Sequence, residues 1–245
     1  MIKKIIAIGG GNVRKNETLL IDQEIVSVSG KKEPKLLFIP TASLDDVAYI
    51  KIIDEHFTKL GCVVDTLCLI TQRPSLDEIG TKVMAADIIY VGGGNTLRMM
   101  NLWRKLGIDK LLIAAQSQGK VLCGISAGSI CWFSAGNSDS RKFKNPQADY
   151  IKVTGLGIIE ALHCPHFDSE SERKQSLKKM LKNYPGVAIA LEDCTALQIV
   201  GDAYRILKNK PDSKAYKIYW QAGVFHEESI SIQENFRALS GLLKK

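Results

Sequence analysis

Four short, almost unbroken apolar runs in the first half of the chain each stop at a glycine or a proline. That pattern restricts the fold more than any other feature. Ile5–Ile8 runs into Gly9-Gly10-Gly11-Asn12, and Lys35–Ile39 stops at Pro40. Asp87–Val91 leads into Gly92-Gly93-Gly94-Asn95, and Val121–Gly124 opens a further small-residue turn. Apolar runs without polar alternation suit strands buried on both faces, the situation of a parallel sheet with helices on either side. Helical periodicity fills the intervals. Residues 45–60 set Val47, Ile50, Ile53, Phe57 and Leu60 on one face before Gly61, where a C′ glycine would end a helix. Cys62–Leu69 reads as a further strand, with helices from Thr96 to Leu106 and over 108–118. The fold class expected is α/β, a mostly parallel sheet with helices on both faces.

The second half is less regular. Residues 134–149, rich in Ser, Asn, Asp and Lys, read as a long loop. Ser169-x-x-Glu172 is a capping-box signal for a helix reaching about Asn183. Val187–Leu191 and Thr195–Val200 resume strand character, and 204–225 reads as antiparallel ribbons. With no linker or repeat, residues 1–245 are expected to form a single domain, long enough to bury a core without disulfide or metal staples.

Charge and cysteine usage exclude several partner classes. The net charge is +7, but the basic residues are dispersed. The densest stretch, 141–183, carries nine Lys/Arg against five Asp/Glu, which reads as a solvated helix face and argues against a nucleic-acid partner. No apolar run approaches the roughly 18–20 residues that span a bilayer, so no membrane partner is expected. The apolar stretch at the N-terminus is too short for a signal peptide. Cys62, Cys68, Cys123, Cys131, Cys164 and Cys194 form no C-x-x-C pair and point to a reduced cytoplasm.

Chemistry is signalled most strongly by Gly124-Ile125-Ser126-Ala127-Gly128. A G-x-S-x-G directly after a buried strand fits a nucleophile elbow, whose tight turn lifts the serine Oγ clear of the sheet and leaves no room for flanking Cβ atoms. Such a serine needs a base, and the chain has four histidines. His56 lies in an amphipathic helix, and His226 lies among the C-terminal ribbons. His163 and His166 follow the apolar run Ile158–Leu162, at the strand end where an α/β site collects. His163, Cys164 and His166 are also metal-ligand types, but an i, i+1, i+3 cluster beside Pro165 converges poorly on one ion, so no metal is expected. Neither triple-glycine turn completes G-x-G-x-x-G, because Arg14 and Leu97 stand at the last position. The exposed amides of Gly92-Gly93-Gly94, with that of Ala127, could instead hold an oxyanion.

Val91-Gly92-Gly93-Gly94-Asn95-Thr96, Gly124-Ile125-Ser126-Ala127-Gly128 and Pro165-His166-Phe167 occur in the order and approximate spacing of the peptidase E family, which the chain resembles from the 35–39 strand to about 200. That family comprises serine peptidases, aspartyl dipeptidases among them and cyanophycinases more distantly. The resemblance implies a flavodoxin-like sheet of the class I glutamine amidotransferase type. It makes Ser126 the nucleophile, His166 its general base, and the Gly94 and Ala127 amides the oxyanion hole. The acid is left open: Asp193 aligns with the family carboxylate, Glu192 is one residue off, and Asp139 is nearest to another family position. The expected activity is cofactor-free hydrolysis of small peptides, with homo-oligomerisation left open. Arg141, Lys142 and Lys144 are candidates to attract a substrate carboxylate. The alternatives are a non-peptidase amide or ester hydrolase on the same scaffold, and an inactive binding module that keeps the fold.

Overall fold

In a computed structural model describing residues 2–169, 171–232 and 235–245, the chain forms two sheets. The first half alternates β1 (Lys4–Ile8), α1 (Leu19–Ser29), β2 (Lys35–Ile39), α2 (Val47–Lys59), β3 (Val63–Thr66), α3 (Leu76–Ala85) and β4 (Ile88–Val91). It continues through α4 (Thr96–Leu106), α5 (Ile108–Ser117), β5 (Val121–Ile125) and the short α6 (Ala127–Ile130). Then come β6 (Phe133–Ser138), β7 (Ile151–Thr154), β8 (Ile159–Cys164), α7 (Ser171–Leu181) and β9 (Ala188–Leu191). The chain ends with β10 (Thr195–Val200), β11 (Ala203–Lys208), β12 (Ala215–Gln221), β13 (Val224–Ser229), β14 (Arg237–Ala238) and α8 (Leu239–Leu243).

The eight-stranded sheet runs β14-β11-β10-β1-β5-β4-β2-β3, and its members β1 to β5 are mutually parallel. Antiparallel β10, β11 and β14 extend it beyond β1. The six-stranded sheet runs β13-β12-β9-β8-β6-β7, with parallel β6, β8 and β9 at its centre and antiparallel strands on both flanks. The α/β class therefore holds, with parallel strands central in each sheet. Glu192-Asp193-Cys194 is the three-residue crossing from β9 in the smaller sheet to β10 in the larger one.

Burial follows from the apolar runs. One side of the larger sheet is covered by α1 and α2 through Ile21, Ile25, Ile53 and Phe57. The other side shares a continuous apolar cluster with the smaller sheet, joining Ile5, Ala7 and Leu122 to Ile159, Ala161 and Ile189 around Trp103 and Trp132. At roughly 1.5–3 kcal/mol for each large side chain removed from water, this shared cluster is the main attraction between the sheets.

Three expectations change. The first residues of the polar stretch 134–149 belong to β6, where Asn137 and Ser138 are buried: Arg173 Nη1 donates to Asn137 O at 2.9 Å, the Ser138 hydroxyl donates to Thr96 Oγ1 at 3.2 Å, and Asn137 Oδ1 has no partner among the described residues. Such partners lie far away in sequence, so composition alone suggests a loop. Strand 62–69 shrinks to β3. Helices α1 and α3 were not expected, although Ser75 and Glu78 form a reciprocal capping box at the start of α3, with Ser75 N donating to Glu78 Oε2 at 2.7 Å.

Candidate active site

β5 lies between β1 and β4, with Ile125 opposite Ile8 and Gly124 opposite Val91. The chain leaves this strand at Ser126 with φ 56° and ψ −113°, a backbone conformation that non-glycine residues rarely occupy. Strain of this kind costs about 1–3 kcal/mol and persists only where the surroundings impose it. Here the imposing groups are backbone. A Cβ at Gly124 would overlap the Gly128 carbonyl, and one at Gly128 would overlap the Val91 carbonyl. The turn can close only with glycine at both positions, and it projects Ser126 Oγ beyond the sheet edge.

His166 follows β8 by two residues and also has a positive φ, 52°. Its backbone N–H donates to Gly9 O at 3.3 Å, which ties it to the end of β1. Asp193 sits in the crossing between the sheets. Its N–H donates to Asp168 Oδ1 at 2.9 Å, and the next residue, Cys194, has φ 63° and donates its N–H to Gly10 O at 2.8 Å.

These anchors bring the three side chains together. His166 Nε2 lies 2.8 Å from Ser126 Oγ, and His166 Nδ1 lies 2.6 Å from Asp193 Oδ1. A carboxylate can only accept, so Nδ1 carries the proton and Nε2 is free to accept from the serine hydroxyl. Burial raises the Asp193 carboxyl, but its bond to His166, the His166 charge, Ser169 and Lys210 outweigh that effect and hold it below the usual range. Gly10 lies against this pair: a Cβ there would overlap Asp193 Oδ1 and the His166 ring.

Glu192 and Asp139 do not join the cluster. Glu192 points to the opposite side of the crossing and accepts from Lys214 N at 2.8 Å and from the Tyr216 hydroxyl at 3.0 Å. Burial and this glutamate push the Tyr216 phenol up to about 12. Asp139 stays in the turn after β6, and its carbonyl accepts from Lys142 N at 2.7 Å. Among the described residues, the Gly94 and Ala127 amides donate to no protein acceptor. Gly93 packs on the Ser126 turn, with its Cβ position 3.5 Å from Ser126 Cβ.

A cavity of about 300 Å³ opens over Ser126 and His166. Arg14, Tyr49, Ile52 and Gly93 help to line it. Sequence reasoning passed over Gly10, Arg14 and Tyr49. The first two lie in and after a triple glycine that reads as a plain turn, and Tyr49 lies on an ordinary helix. The basic loop residues proposed as a carboxylate attractor do not line this cavity. Lys142 bonds Glu172 Oε2 at 2.7 Å and lies over the Tyr150 ring.

His163 is turned away from His166. It is fully buried, stacked on Phe133, with Nδ1 2.9 Å from Ile189 O and Nε2 2.9 Å from Ser129 Oγ. Nδ1 must donate to the carbonyl, which leaves Nε2 an acceptor facing a Ser129 hydroxyl whose one proton also meets Ser126 O at 2.7 Å. Burial pushes its pKa down to about 3, aided by the charges of Arg173 and His166 and opposed by the Ile189 bond. Between its ordinary value near 6.5 and about 3, the unfolded chain binds a proton here that the folded one does not. The stability it contributes is complete above the ordinary value and falls with pH by about 1.4 kcal/mol per unit. Urea unfolding at steps from pH 7 to pH 5 should show this loss, and His163→Gln should flatten it. An unchanged slope in the variant would assign the acid lability to other groups.

Comparison with known proteins gives a consistent picture. The model of peptidase family S51 matches residues 5–207. An uncharacterized peptidase of Bacillus subtilis, YgaJ, is 34% identical over 220 residues, covering 89% of this chain and 92% of that one. Peptidase E of Shewanella denitrificans is 25% identical over 198 residues, covering 76% and 80%. Among solved structures, a peptidase from an acI-B1 actinobacterium superposes with a TM-score of 0.76 at 20% identity, covering 97% of each chain. A putative peptidase E from Listeria monocytogenes gives 0.65 at 24% identity, covering 85% of this chain and 99% of that one. The first of these likenesses takes in nearly the whole chain, and both are likenesses of fold.

Proposed function

The chain belongs to peptidase family S51, and from that membership we propose that it is a serine peptidase cleaving short peptides through an acyl-enzyme on Ser126. The observation that carries the proposal is the unbroken relay from Ser126 Oγ to His166 Nε2 at 2.8 Å and from His166 Nδ1 to Asp193 Oδ1 at 2.6 Å. His166 accepts the serine proton as Oγ attacks the scissile carbonyl, and Asp193 steadies the imidazolium that forms. The Gly94 and Ala127 amides, which have no protein acceptor among the described residues, receive the oxyanion; one such donor is worth about 3–4 kcal/mol in acyl transfer. His166 then protonates the departing amine, and water resolves the ester by the reverse path. A cavity of about 300 Å³, at the small end of ligand pockets, supports a substrate of a few residues over a folded protein.

A serine-directed phosphonate tests this reading. Intact-mass measurement should show a single adduct on the wild type and none on Ser126→Ala. Adducts on both proteins, or hydrolysis of peptides by a wild type that takes no adduct, would remove Ser126 from the mechanism.

A further inference from the structure

The catalytic cavity has an uneven charge. Among the described residues that line it, Arg14 is the only one with a permanent charge, and none is a carboxylate. Arg14 has no ion-pair or hydrogen-bond partner for its guanidinium within the described chain, although acids are near in sequence and space. Glu17 instead accepts from Asn12 N at 2.9 Å and pairs with Lys210 at 3.4 Å. Glu55, in the neighbouring depression that Arg14 also borders, pairs with Lys51 at 3.8 Å. Asp193, the nearest acid of the relay, is engaged by His166. The guanidinium is therefore left for a ligand, and the planar fork of arginine suits a carboxylate above other anions of peptide size.

Its backbone is held firmly. Arg14 is the middle residue of a single 3₁₀ turn, Val13–Lys15, with Val13 buried beneath it. The Asn12 side chain caps that turn by accepting from Lys15 N at 3.2 Å, and Asn16 closes it in a left-handed conformation, donating its N–H to Val13 O at 2.9 Å.

Position relative to His166 decides which carboxylate is meant. The leaving amine takes its proton from His166, so the leaving residue lies on the histidine side of Ser126. The segment leading to Arg14 lies on that side too: Gly9 O accepts from His166 N, and Gly10 is pressed against the imidazole. In a dipeptide the C-terminal carboxylate is only two bonds beyond the scissile nitrogen.

We propose that Arg14 is a specificity residue that receives the C-terminal carboxylate of the leaving amino acid, so that the preferred substrate is a dipeptide with a free C-terminus. This inference rests on the serine-peptidase reading above.

The test uses matched pairs, a free-acid dipeptide and its C-terminal amide, assayed on wild type, Arg14→Ala and Arg14→Lys, with phosphonate labelling of Ser126 in parallel. Arg14→Ala should lose about 10–100-fold in kcat/KM on the free acid, the range of a partly solvated charge-assisted bond, with the loss mainly in KM. The amide should be cleaved equally by both proteins, Arg14→Lys should recover part of the loss, and labelling should be unchanged. Equal kcat/KM for wild type and Arg14→Ala on the free acid, with labelling intact, would overturn the inference alone. So would a loss confined to amidated substrates with an acidic side chain on the acyl residue, because that result moves the carboxylate to the other side of the serine. A wild type that neither labels nor hydrolyses any member of the panel would overturn the peptidase reading and this inference with it.

Discussion

Replacing Ser126 with alanine is expected to lower kcat on a dipeptide by about 10⁶, the cost of removing the nucleophile in a serine peptidase whose other catalytic groups remain. The residual rate should still exceed that in water, because the Gly94 and Ala127 amides and the cavity persist without the hydroxyl. Stability should move little, since alanine inherits the same backbone conformation at φ 56°. Ser126→Gly separates the two effects. It is equally inactive, yet glycine occupies that conformation freely, so its unfolding free energy should rise by about 1 kcal/mol or more. Rate assays and urea unfolding on the three proteins check both parts. Turnover by Ser126→Ala within tenfold of wild type would place the chemistry on another group.

The second large effect belongs to Asp193. With Asp193→Asn, the side chain can present an N–H to His166 Nδ1, which then favours the tautomer whose Nε2 carries the proton and cannot accept from Ser126. The comparable change in another triad costs about 10⁴ in kcat, and a similar loss is expected here with little change in melting temperature. Glu192→Gln should leave turnover near wild type, because its partners are Lys214 and Tyr216 on the far side of the crossing. Asp139→Asn should do the same. If Glu192→Gln or Asp139→Asn abolished turnover while Asp193→Asn stayed active, the orienting role would pass to that residue.

The parts of the fold visible in the sequence are those whose causes are local. β1, β2, β4 and β5 are apolar on both faces and bounded by glycine or proline, so their burial is written into consecutive residues. β9 is visible for the same reason, an apolar run entered from Pro185-Gly186. β6 was not visible, because Asn137 and Ser138 are buried through bonds to Arg173, Ser176 and Thr96, partners fixed only by tertiary packing. The division into two sheets was equally hidden: which strand neighbours which depends on long-range pairing that no window of residues contains. The same contrast holds at the site. Ser126 stands out because its turn demands small neighbours within two residues. The residues alone narrow the base to His163 or His166, likeness to a family favours His166 and Asp193, and in the structure Asp193 and Glu192 bond to different partners. Gly10 and Arg14 gain meaning from the passage of β1's end beneath His166, a product of topology.

The two-sheet arrangement has a consequence for how loss of function should be read. Ser126 is attached to the eight-stranded sheet, His166 to the six-stranded one, and Asp193 to the thread between them. The site is thus a seam, complete only while the two halves are docked in register. Either half could keep its strands and its ultraviolet signature after the other had slipped, and the preparation would look folded while doing nothing. Turnover therefore measures docking between halves, a property that secondary-structure spectra cannot see. The fraction of active molecules in a stored or heated sample should fall before the spectra change.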